Sequence, residues 1–185
     1  YVDDQANLDH ALAIVVNAKT QRPSVCNACE TVLIHESLKN WIPTLVGALV
    51  ERGVSVRGCS VIQAFHQQVV PAQDSDWASE YLELIVAMKV VPSCEAAIQH
   101  INQYGSRHSE VIVSDAHAVI GEFTNRVDAA AVLVNASSRF TDGGEFGFGT
   151  EMGISTQKLH VRGPVGLQHL TTSKYIVYGT GQVRE

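Results

Sequence analysis

The sequence predicts an α/β domain with a mainly parallel sheet. Short apolar runs typical of strands alternate along the chain with longer segments whose apolar residues recur at helical spacing. This alternation is typical of layered domains in which helices cover a parallel sheet. The chain has 185 residues, of which 45% are hydrophobic and 17% are charged. That length and composition fit one globular domain with a sizeable core.

The first half of the chain contains two clear amphipathic helices. Asn7 can cap a helix that runs to about Thr20. Ser37 can cap the second helix, whose apolar face ends before Gly53. Residues 1–4 have the character of a strand end, which predicts that the chain is a piece of a longer polypeptide. The other predicted segments are strands over 31–35 and 54–59 and a polar loop with a helical turn over 60–79.

The second half continues the same alternation. A strongly apolar run over 82–91 predicts a buried strand, and Ser93 caps a helix that ends at Gly105. Asp115 opens the last helix. The other predicted segments are strands over 111–113 and 130–135, a glycine-rich loop over 140–153, and a tail over 167–178 that forms a short helix and then a strand.

Charge and hydropathy argue against two classes of partner. The net charge is −6 and no basic run exceeds two residues, so we expect neither nucleic acid nor an anionic membrane as a partner. No apolar stretch approaches membrane-spanning length, and no signal-like segment opens the chain. Four cysteines in a chain of this size do not suggest a disulfide framework, which predicts a cytoplasmic protein with reduced thiols.

A cysteine-bearing turn over 23–31 is the main candidate for a functional feature. It places Cys26 between an amphipathic helix and an apolar strand. Catalytic thiolates need a fixed, partly exposed position near helix-terminal amides, and a nearby cation such as Lys19 would lower the pKa of the thiol. The alternative is a small residue that fills a turn, with Cys29 packed in the core. The spacing leaves both interpretations open.

Cys26 and Cys29 also have the spacing of a redox dithiol or of half a zinc site. A zinc site needs a second pair of ligands, but Cys59 and Cys94 stand alone and the eight histidines are scattered. We therefore predict no metal. A Cys-x-x-Cys redox protein remains an alternative function.

The glycine-rich segment 142–149 is a poor nucleotide motif, because it lacks a third glycine in register and a following Lys-Ser/Thr pair. We expect a tight loop that lets the backbone approach a ligand or another element. Arg139, Lys158 and Arg162 flank this loop. These cations could bind an anionic substrate or remain solvated surface charges.

Four stretches of sequence carry a family resemblance: residues 17–27 with Glu30-Thr31, Glu80-Tyr81-Leu82, the segment 91–112, and the segment 135–164, which opens Asn-Ala-Ser-Ser-Arg-Phe-Thr-Asp-Gly-Gly. In that order they resemble the cysteine region, the ribose-contacting glutamate, the signature helix and loop, and the substrate-side loops of gamma-glutamyl phosphate reductases. That family belongs to the aldehyde dehydrogenase superfamily. The resemblance covers essentially the whole chain.

The resemblance implies a fold and a reaction. The implied fold is the three-layer catalytic domain of the aldehyde dehydrogenase type, with a mainly parallel sheet and a C-terminal oligomerisation strand. The implied reaction is the NADPH-dependent reduction of L-glutamyl 5-phosphate to L-glutamate 5-semialdehyde and phosphate through a cysteine thioester, the second step of proline biosynthesis. Glutamate 5-kinase is then the pathway neighbour.

The resemblance also assigns site residues. It makes Cys26 the nucleophile and places Glu80 at the nicotinamide ribose. The residues expected to bind the small-molecule substrate lie in the cysteine turn and in the loop before the glycine-rich segment and its first glycines: Asn27, Asn135, Ser137, Arg139, Phe140, Thr141, Gly143 and Gly144.

The implied domain arrangement is a catalytic domain over 1–165 and a C-terminal helix and strand over 166–185. The latter would pair between subunits, so we expect a homodimer or a higher homo-oligomer. The Rossmann domain that would bind most of the NADPH is absent from the chain, and we expect the isolated chain to be inactive. The alternatives are a non-catalytic fragment or assembly module, and the redox protein named above.

Overall fold

The computed structural model describes residues 1–185 and confirms an α/β fold with a mainly parallel sheet. The strands are β1 (Thr31–His35), β2 (Ser55–Gly58), β3 (Val70–Pro71), β4 (Ile85–Val91), β5 (Ser109–Ile112), β6 (Ala131–Val134), β7 (Met152–Ile154) and β8 (Gly163–Val165). The α-helices are α1 (Leu8–Thr20), α2 (Ile42–Val50), α3 (Ser60–Gln63), α4 (Cys94–Tyr104) and α5 (His117–Arg126). Short 3-10 helices cover Glu36–Trp41, Asp74–Ala78, Ser138–Phe140 and Leu167–His169.

The start of the chain joins two parallel sheets into one. One sheet has the order β1-β4-β2-β3, and β5 pairs with β6. Val2 forms parallel bridges to Ile34 in β1 and to Val113 just after β5. The amide of Val2 donates to Leu33 O at 2.8 Å, and the amide of Asp3 donates to Val113 O at 3.0 Å. The first residues therefore occupy a strand position between β1 and β5, as their sequence predicts.

Helices cover both faces of this sheet and give three layers. One face packs α1 and α2 over a core that includes Leu45, and the other packs α4 and α5 over a core that includes Ile98. Successive strand residues point to opposite faces, so Ile34 enters the first core and its neighbour Leu33 enters the second.

Two predicted helix caps are confirmed. The Asn7 side chain accepts hydrogen bonds from the amides of Asp9 and His10 at 3.1 Å each. The Ser93 hydroxyl oxygen accepts one from the amide of Ala96 at 3.2 Å. Each side chain satisfies amides that lack a partner in the first helical turn.

Another predicted cap is wrong, and one predicted helix start is displaced. Ser37 lies inside a 3-10 helix that His35 caps, and α2 begins only at Ile42. The sequence predicts that Asp115 opens the last helix, but α5 begins two residues later, at His117, with Ala116 as its N-cap. A residue caps a helix only where its own backbone is non-helical, and residue type does not fix that point along the chain.

The segment 60–79 is more ordered than the predicted polar loop, since it contains α3, β3 and a 3-10 helix. The following strand is shorter than predicted and begins at Ile85. Leu82 has a φ of +56°, a left-handed conformation outside the range that strands use.

The C-terminal part holds one hairpin and an open tail. β7 and β8 pair antiparallel after the glycine-rich loop. The strand predicted in the tail is absent from the single chain, because residues 170–185 have no regular structure and are exposed. A strand needs a partner for its amide and carbonyl groups, and none of the strands pairs with the tail. No helix combines the length and the apolar character that crossing a membrane requires.

Candidate active site

The cysteine turn links the C-terminus of α1 to the start of β1. Its geometry is fixed by backbone hydrogen bonds from Ala28 N to Val25 O at 3.0 Å and from Cys29 N to Ala18 O at 2.9 Å. The Cys26 side chain is exposed and lies on the lining of a cavity of about 650 Å³. A thiol in a fixed turn at the edge of a cavity has the placement that nucleophilic catalysis requires.

The loop after β6 docks onto this turn. Ser138 Oγ donates to Asn27 O at 2.5 Å, and Asn27 Nδ2 donates to Thr141 O at 2.9 Å. Arg139 Nε donates to Gln21 Oε1 at 2.6 Å, and Arg139 Nη1 donates to Asn27 Oδ1. The structure thus brings the predicted substrate loop against the cysteine turn, 114 residues away in sequence.

Asn27 holds the two segments together from the inside. It is only 4% exposed, and both ends of its amide are engaged by Arg139 and Thr141. These bonds use one donor and one acceptor site of the amide, so Asn27 supports the contact between the two segments and its contact with the substrate stays a prediction.

Arg139 keeps one end of its guanidinium free. Nε and Nη1 are bonded within the protein, whereas Nη2 makes no hydrogen bond and the group has no carboxylate partner. Because Nε and Nη1 are held in place, the Nη2 end of the Arg139 guanidinium is pre-organised to bind an anionic ligand.

Arg139 and three other predicted substrate residues line a second cavity of about 560 Å³ beside α1, separate from the cavity that Cys26 lines. Asn135 has a φ of +52°, and its amide bonds the backbone N and O of Ser114 at 3.0 and 2.9 Å, which ties the ends of β5 and β6 together. Ser137 is buried, and its Oγ accepts from Arg139 N at 3.3 Å. Phe140 is 51% exposed.

The last three predicted residues, Thr141, Gly143 and Gly144, line neither of these two cavities. Thr141 is 1% exposed, and its hydroxyl has no hydrogen-bond partner. A Cβ at Gly143 would lie 2.6 Å from Glu151 Cβ and would clash with the carbonyl of Thr150, so only glycine fits there. Gly144 is exposed and donates its amide to Asp142 Oδ1 at 2.8 Å.

Glu80 lies on the lining of the same cavity as Cys26. Its carboxylate makes no hydrogen bond and no ion pair, and the residue is exposed. The structure therefore brings together the two residues to which the resemblance assigns the nucleophile and the cofactor contact.

The pKa of Cys26 is raised above its ordinary value, which contradicts the expectation of a thiolate favoured by the helix end. Partial burial raises it first, and the carboxylates of Glu151 and Glu80 raise it further. Arg139 and a backbone hydrogen bond act in the opposite direction. The expected cation Lys19 is engaged elsewhere, since its Nζ lies 2.8 Å from Glu30 Oε2.

Replacing Glu151 with glutamine is expected to speed alkylation of Cys26 at neutral pH. Loss of the carboxylate charge lowers the pKa of the thiol, so a larger fraction is thiolate at a given pH. The check is the rate of iodoacetamide labelling between about pH 7 and pH 10, read by mass spectrometry of the Cys26 peptide. Glu145→Gln is the control, because Glu145 is in the same loop but is not among the charges that act on this thiol. Identical pH profiles for the two variants would contradict the assignment.

The structure gives little support to a dithiol redox centre. Cys29 is largely buried, its Sγ donates to Thr31 O at 3.5 Å, and burial raises its pKa to about 11. Both thiols of the Cys-x-x-Cys pair are thus harder to ionise than a free cysteine, whereas redox pairs have lowered pKa values. No cluster of three or more His, Cys, Asp or Glu side chains is placed to hold a metal ion.

Two flanking cations prove to be structural. Arg162 Nη1 and Lys158 Nζ lie 2.6 and 2.8 Å from the carboxylate oxygens of Asp128. Their hydrogen bonds hold the pKa of Asp128 at about 2. They anchor the β7–β8 hairpin to the start of β6 and leave Arg139 as the cation beside the cysteine turn.

Sequence reasoning missed three residues of the site. Glu151 acts on the thiol from the glycine-rich loop, Glu30 reaches the loop that carries Glu80, and Gln21 holds Arg139. No spacing signal marks these contacts, because each joins segments distant in sequence.

Comparison with proteins of known name finds the same family that the sequence resemblance indicates. The chain is 57% identical over its whole length to a gamma-glutamyl phosphate reductase of Moorella thermoacetica and 55% identical to one of Caldicellulosiruptor bescii. It spans 44% and 45% of those two relatives, so it corresponds to less than half of each. No protein-family model matches the chain.

Comparison with solved structures finds reductases of the same family. The crystal structure of gamma-glutamyl phosphate reductase from Thermotoga maritima matches the whole chain with a TM-score of 0.92 and 51% identity, and the chain covers 45% of it. The Saccharomyces cerevisiae reductase matches 80% of the chain with a TM-score of 0.62 and 32% identity, and the matched part is 37% of it. An acetylating aldehyde dehydrogenase from Geobacillus thermoglucosidasius matches with a TM-score of 0.69 at 16% identity, over 100% of this chain and 51% of its own, so the two chains share a fold.

Proposed function

Since this chain resembles the gamma-glutamyl phosphate reductase family throughout its length, we propose that it is the cysteine-bearing catalytic part of such an enzyme. The complete protein would reduce L-glutamyl 5-phosphate to L-glutamate 5-semialdehyde with NADPH and release phosphate. The reaction is the second step of proline biosynthesis, and glutamate 5-kinase would supply the acyl phosphate. We place the enzyme in the cytoplasm, where its four free thiols stay reduced.

One observation carries the proposal. The exposed Cys26 lies at a cavity, and the Asn135–Gly144 loop is bonded to its turn so that Arg139 presents a free guanidinium end nearby. A nucleophilic sulfur beside a cation is what the attack on an anionic acyl phosphate requires.

The chemistry uses Cys26 as follows. Its thiolate attacks the acyl carbon, the carbon–oxygen bond to phosphate breaks, and phosphate leaves with the bonding electrons. The product is a thioester on Sγ. After reduction of the acyl carbon, the carbon–sulfur bond breaks, its electron pair returns to Sγ, and the aldehyde is released. Arg139 holds the substrate's carboxylate through these steps so that the carbon stays in line with Sγ.

The residues present fit part of a nicotinamide cofactor. Glu80 is exposed at the cavity with a free carboxylate that can accept hydrogen bonds from ribose hydroxyls. The cofactor, when bound, supplies a hydride to the acyl carbon. The chain shows no glycine-rich phosphate turn that opens a helix, so we assign most of the NADPH contacts to a Rossmann domain outside residues 1–185. Within the chain, we assign residues 1–165 to catalysis and 166–185 to a C-terminal element that pairs between subunits.

Replacing Arg139 with lysine in the complete protein tests the proposed function. Lysine lacks the planar fork that bonds Gln21, Asn27 and a carboxylate together, so we expect KM for the glutamyl substrate to rise about tenfold with little change in kcat. Initial rates with glutamate 5-semialdehyde, phosphate and NADP+ measure this in the reverse direction.

The matched control is Arg22→Lys. Arg22 is exposed, lies just before the cysteine turn and makes no side-chain hydrogen bond. An unchanged KM for Arg139→Lys would remove Arg139 from the substrate site, and an intact wild-type protein without acyl-phosphate reductase activity would refute the proposed function.

We also propose that the tail pairs with a second copy of the chain. Tyr175, Ile176, Val177 and Tyr178 are each at least 64% exposed, an apolar run that a lone chain leaves in water. An extended apolar segment with unpaired backbone groups can add a strand to a neighbouring sheet.

Deleting residues 170–185 is expected to abolish self-association. Sedimentation velocity should show a dimer or larger species for the intact chain and a monomer for the shortened one. A chain that ends at 179 keeps the apolar run and should still associate. A clean monomer of the intact chain at high concentration would take the tail out of any interface.

A further inference from the structure

A buried ion pair lies directly behind the cysteine turn. Lys19 in the last turn of α1 has a fully buried side chain, and its Nζ lies 2.8 Å from Glu30 Oε2. Glu30 is the residue just before β1, and its own side chain is 18% exposed. A buried ammonium is costly without a partner, so this pair fixes the direction of the Glu30 carboxylate.

The second oxygen of that carboxylate reaches the loop that carries Glu80. Leu82 N donates to Glu30 Oε1 at 3.3 Å. Leu82 has a φ of +56° and is 46% exposed, so neither backbone preference nor burial of its side chain holds it there. Glu30 therefore connects the cysteine turn to the backbone two residues after Glu80.

The other end of the Glu80 loop is held separately. The Asp76 carboxylate is 2% exposed and accepts from Arg57 Nη1 at 2.8 Å, Gln73 N at 2.7 Å and Tyr81 OH at 2.8 Å. Asp76 thus ties the loop to β2. The pairing of β1 with β4 fixes the strand after the loop, and the Glu30 side chain adds a hydrogen bond from the loop itself to the segment that carries the nucleophile.

We infer that Glu30 is a positioning residue for the cofactor: with Lys19 as its counter-ion, it sets the distance between Cys26 and Glu80. The inference rests on the proposed function. Glu80 faces the ribose of the nicotinamide nucleotide while Cys26 faces the acyl carbon, so the separation of the two determines whether the hydride donor and the acceptor meet. Glu30 touches neither substrate nor cofactor and acts through Leu82.

Two variants of the complete protein separate the effect of the length of the Glu30 side chain from the effect of its charge. Glu30→Asp keeps the charge but is one methylene shorter, so it cannot reach Lys19 and Leu82 together. Glu30→Gln combined with Lys19→Met keeps a side chain long enough to accept from Leu82 N, and it leaves no unpaired buried charge. The readout is the Kd for NADPH by calorimetric titration, together with KM for the glutamyl substrate and the rate of Cys26 alkylation without ligands.

We expect Glu30→Asp to raise the Kd for NADPH about tenfold, as for loss of a hydrogen bond to a charged group, and the double variant to raise it less. KM for the glutamyl substrate and the alkylation rate should change less than about twofold, because the turn and the Arg139 side remain in place. A purely structural role would lower the melting temperature of both variants without this selective effect. Glu122→Gln, in an exposed ion pair on α5, is the control.

The outcomes are distinguishable. A wild-type protein that binds NADPH and reduces the acyl phosphate, with the same Kd in Glu30→Asp, would overturn this inference and leave the proposed function standing. A wild-type protein that binds no NADPH would overturn both. If the double variant does not fold, the comparison of Glu30→Asp with wild type still decides the inference, because that variant keeps the negative charge that compensates Lys19.

Discussion

Replacing Cys26 with serine in the complete protein is expected to abolish acyl-phosphate reduction, with a loss of roughly four orders of magnitude or more in kcat. A serine hydroxyl is much harder to ionise than a thiol, and the carboxylates of Glu80 and Glu151 disfavour ionisation at this position further. An oxygen ester would also be a poorer hydride acceptor than a thioester. Steady-state rates in both directions measure the loss, and a thermal melt checks that the fold is kept.

Cys29→Ser is the matched control. The serine hydroxyl can still donate to Thr31 O, the bond that Cys29 makes at 3.5 Å, so we expect activity within about twofold of wild type. If Cys29→Ser were inactive and Cys26→Ser active, the nucleophile would be the other cysteine. If both variants were inactive, the result would favour a redox centre formed by Cys26 and Cys29.

Replacing Gly143 with alanine is expected to give the second-largest effect. The added methyl would overlap the Thr150 carbonyl and approach Glu151 Cβ to 2.6 Å, and the first of these is backbone that has no rotamer to change. The loop must therefore shift, at a cost of about 1–3 kcal/mol, and Glu151 moves relative to Cys26. We expect a lower melting temperature and a several-fold change in kcat/KM.

Gly121→Ala provides the control for this prediction. Nothing lies within 4 Å of a Cβ at Gly121 in α5, so alanine should stabilise the helix by about 0.5–1 kcal/mol. Melting curves of the two variants should move in opposite directions. A Gly143→Ala protein with wild-type stability and activity would show that the loop does not pack as described.

The sequence was sufficient for features that depend on neighbouring residues. Asn7 and the spacing of apolar residues after it predict α1, and the position of Cys26 between α1 and β1 predicts its turn. In both cases the responsible contacts lie within one or two helical turns. The family resemblance supplied the pairing of this turn with Glu80, and the structure places both on one cavity.

The sequence was insufficient where charges meet across the fold. Lys19 is near Cys26 in the chain, which suggested a cation that lowers the pKa of the thiol. In space Lys19 pairs with Glu30, and the other oxygen of the Glu30 carboxylate accepts from Leu82, 52 residues further along the chain. The charges that do reach Cys26 include Glu151 in a loop after β6, and no local pattern encodes that approach. The strand predicted in the tail is not formed for another reason: it would need a partner strand outside the single chain.

The strand position at the start of the chain also bears on the order of folding. Val2 joins β1 to the residues just after β5, and the backbone nitrogen of Tyr1 donates to Val111 O at 2.7 Å across 110 residues of sequence. Closing so long a loop costs conformational entropy that shorter-range pairs do not incur. The four-stranded sheet with α1 and α2, and the β5–β6 pair with α4 and α5, can each gain structure first. The two units then become cooperative through two sets of contacts: the strand position of the first residues and the second core, in which Leu33 of β1 packs with residues of α4 and α5.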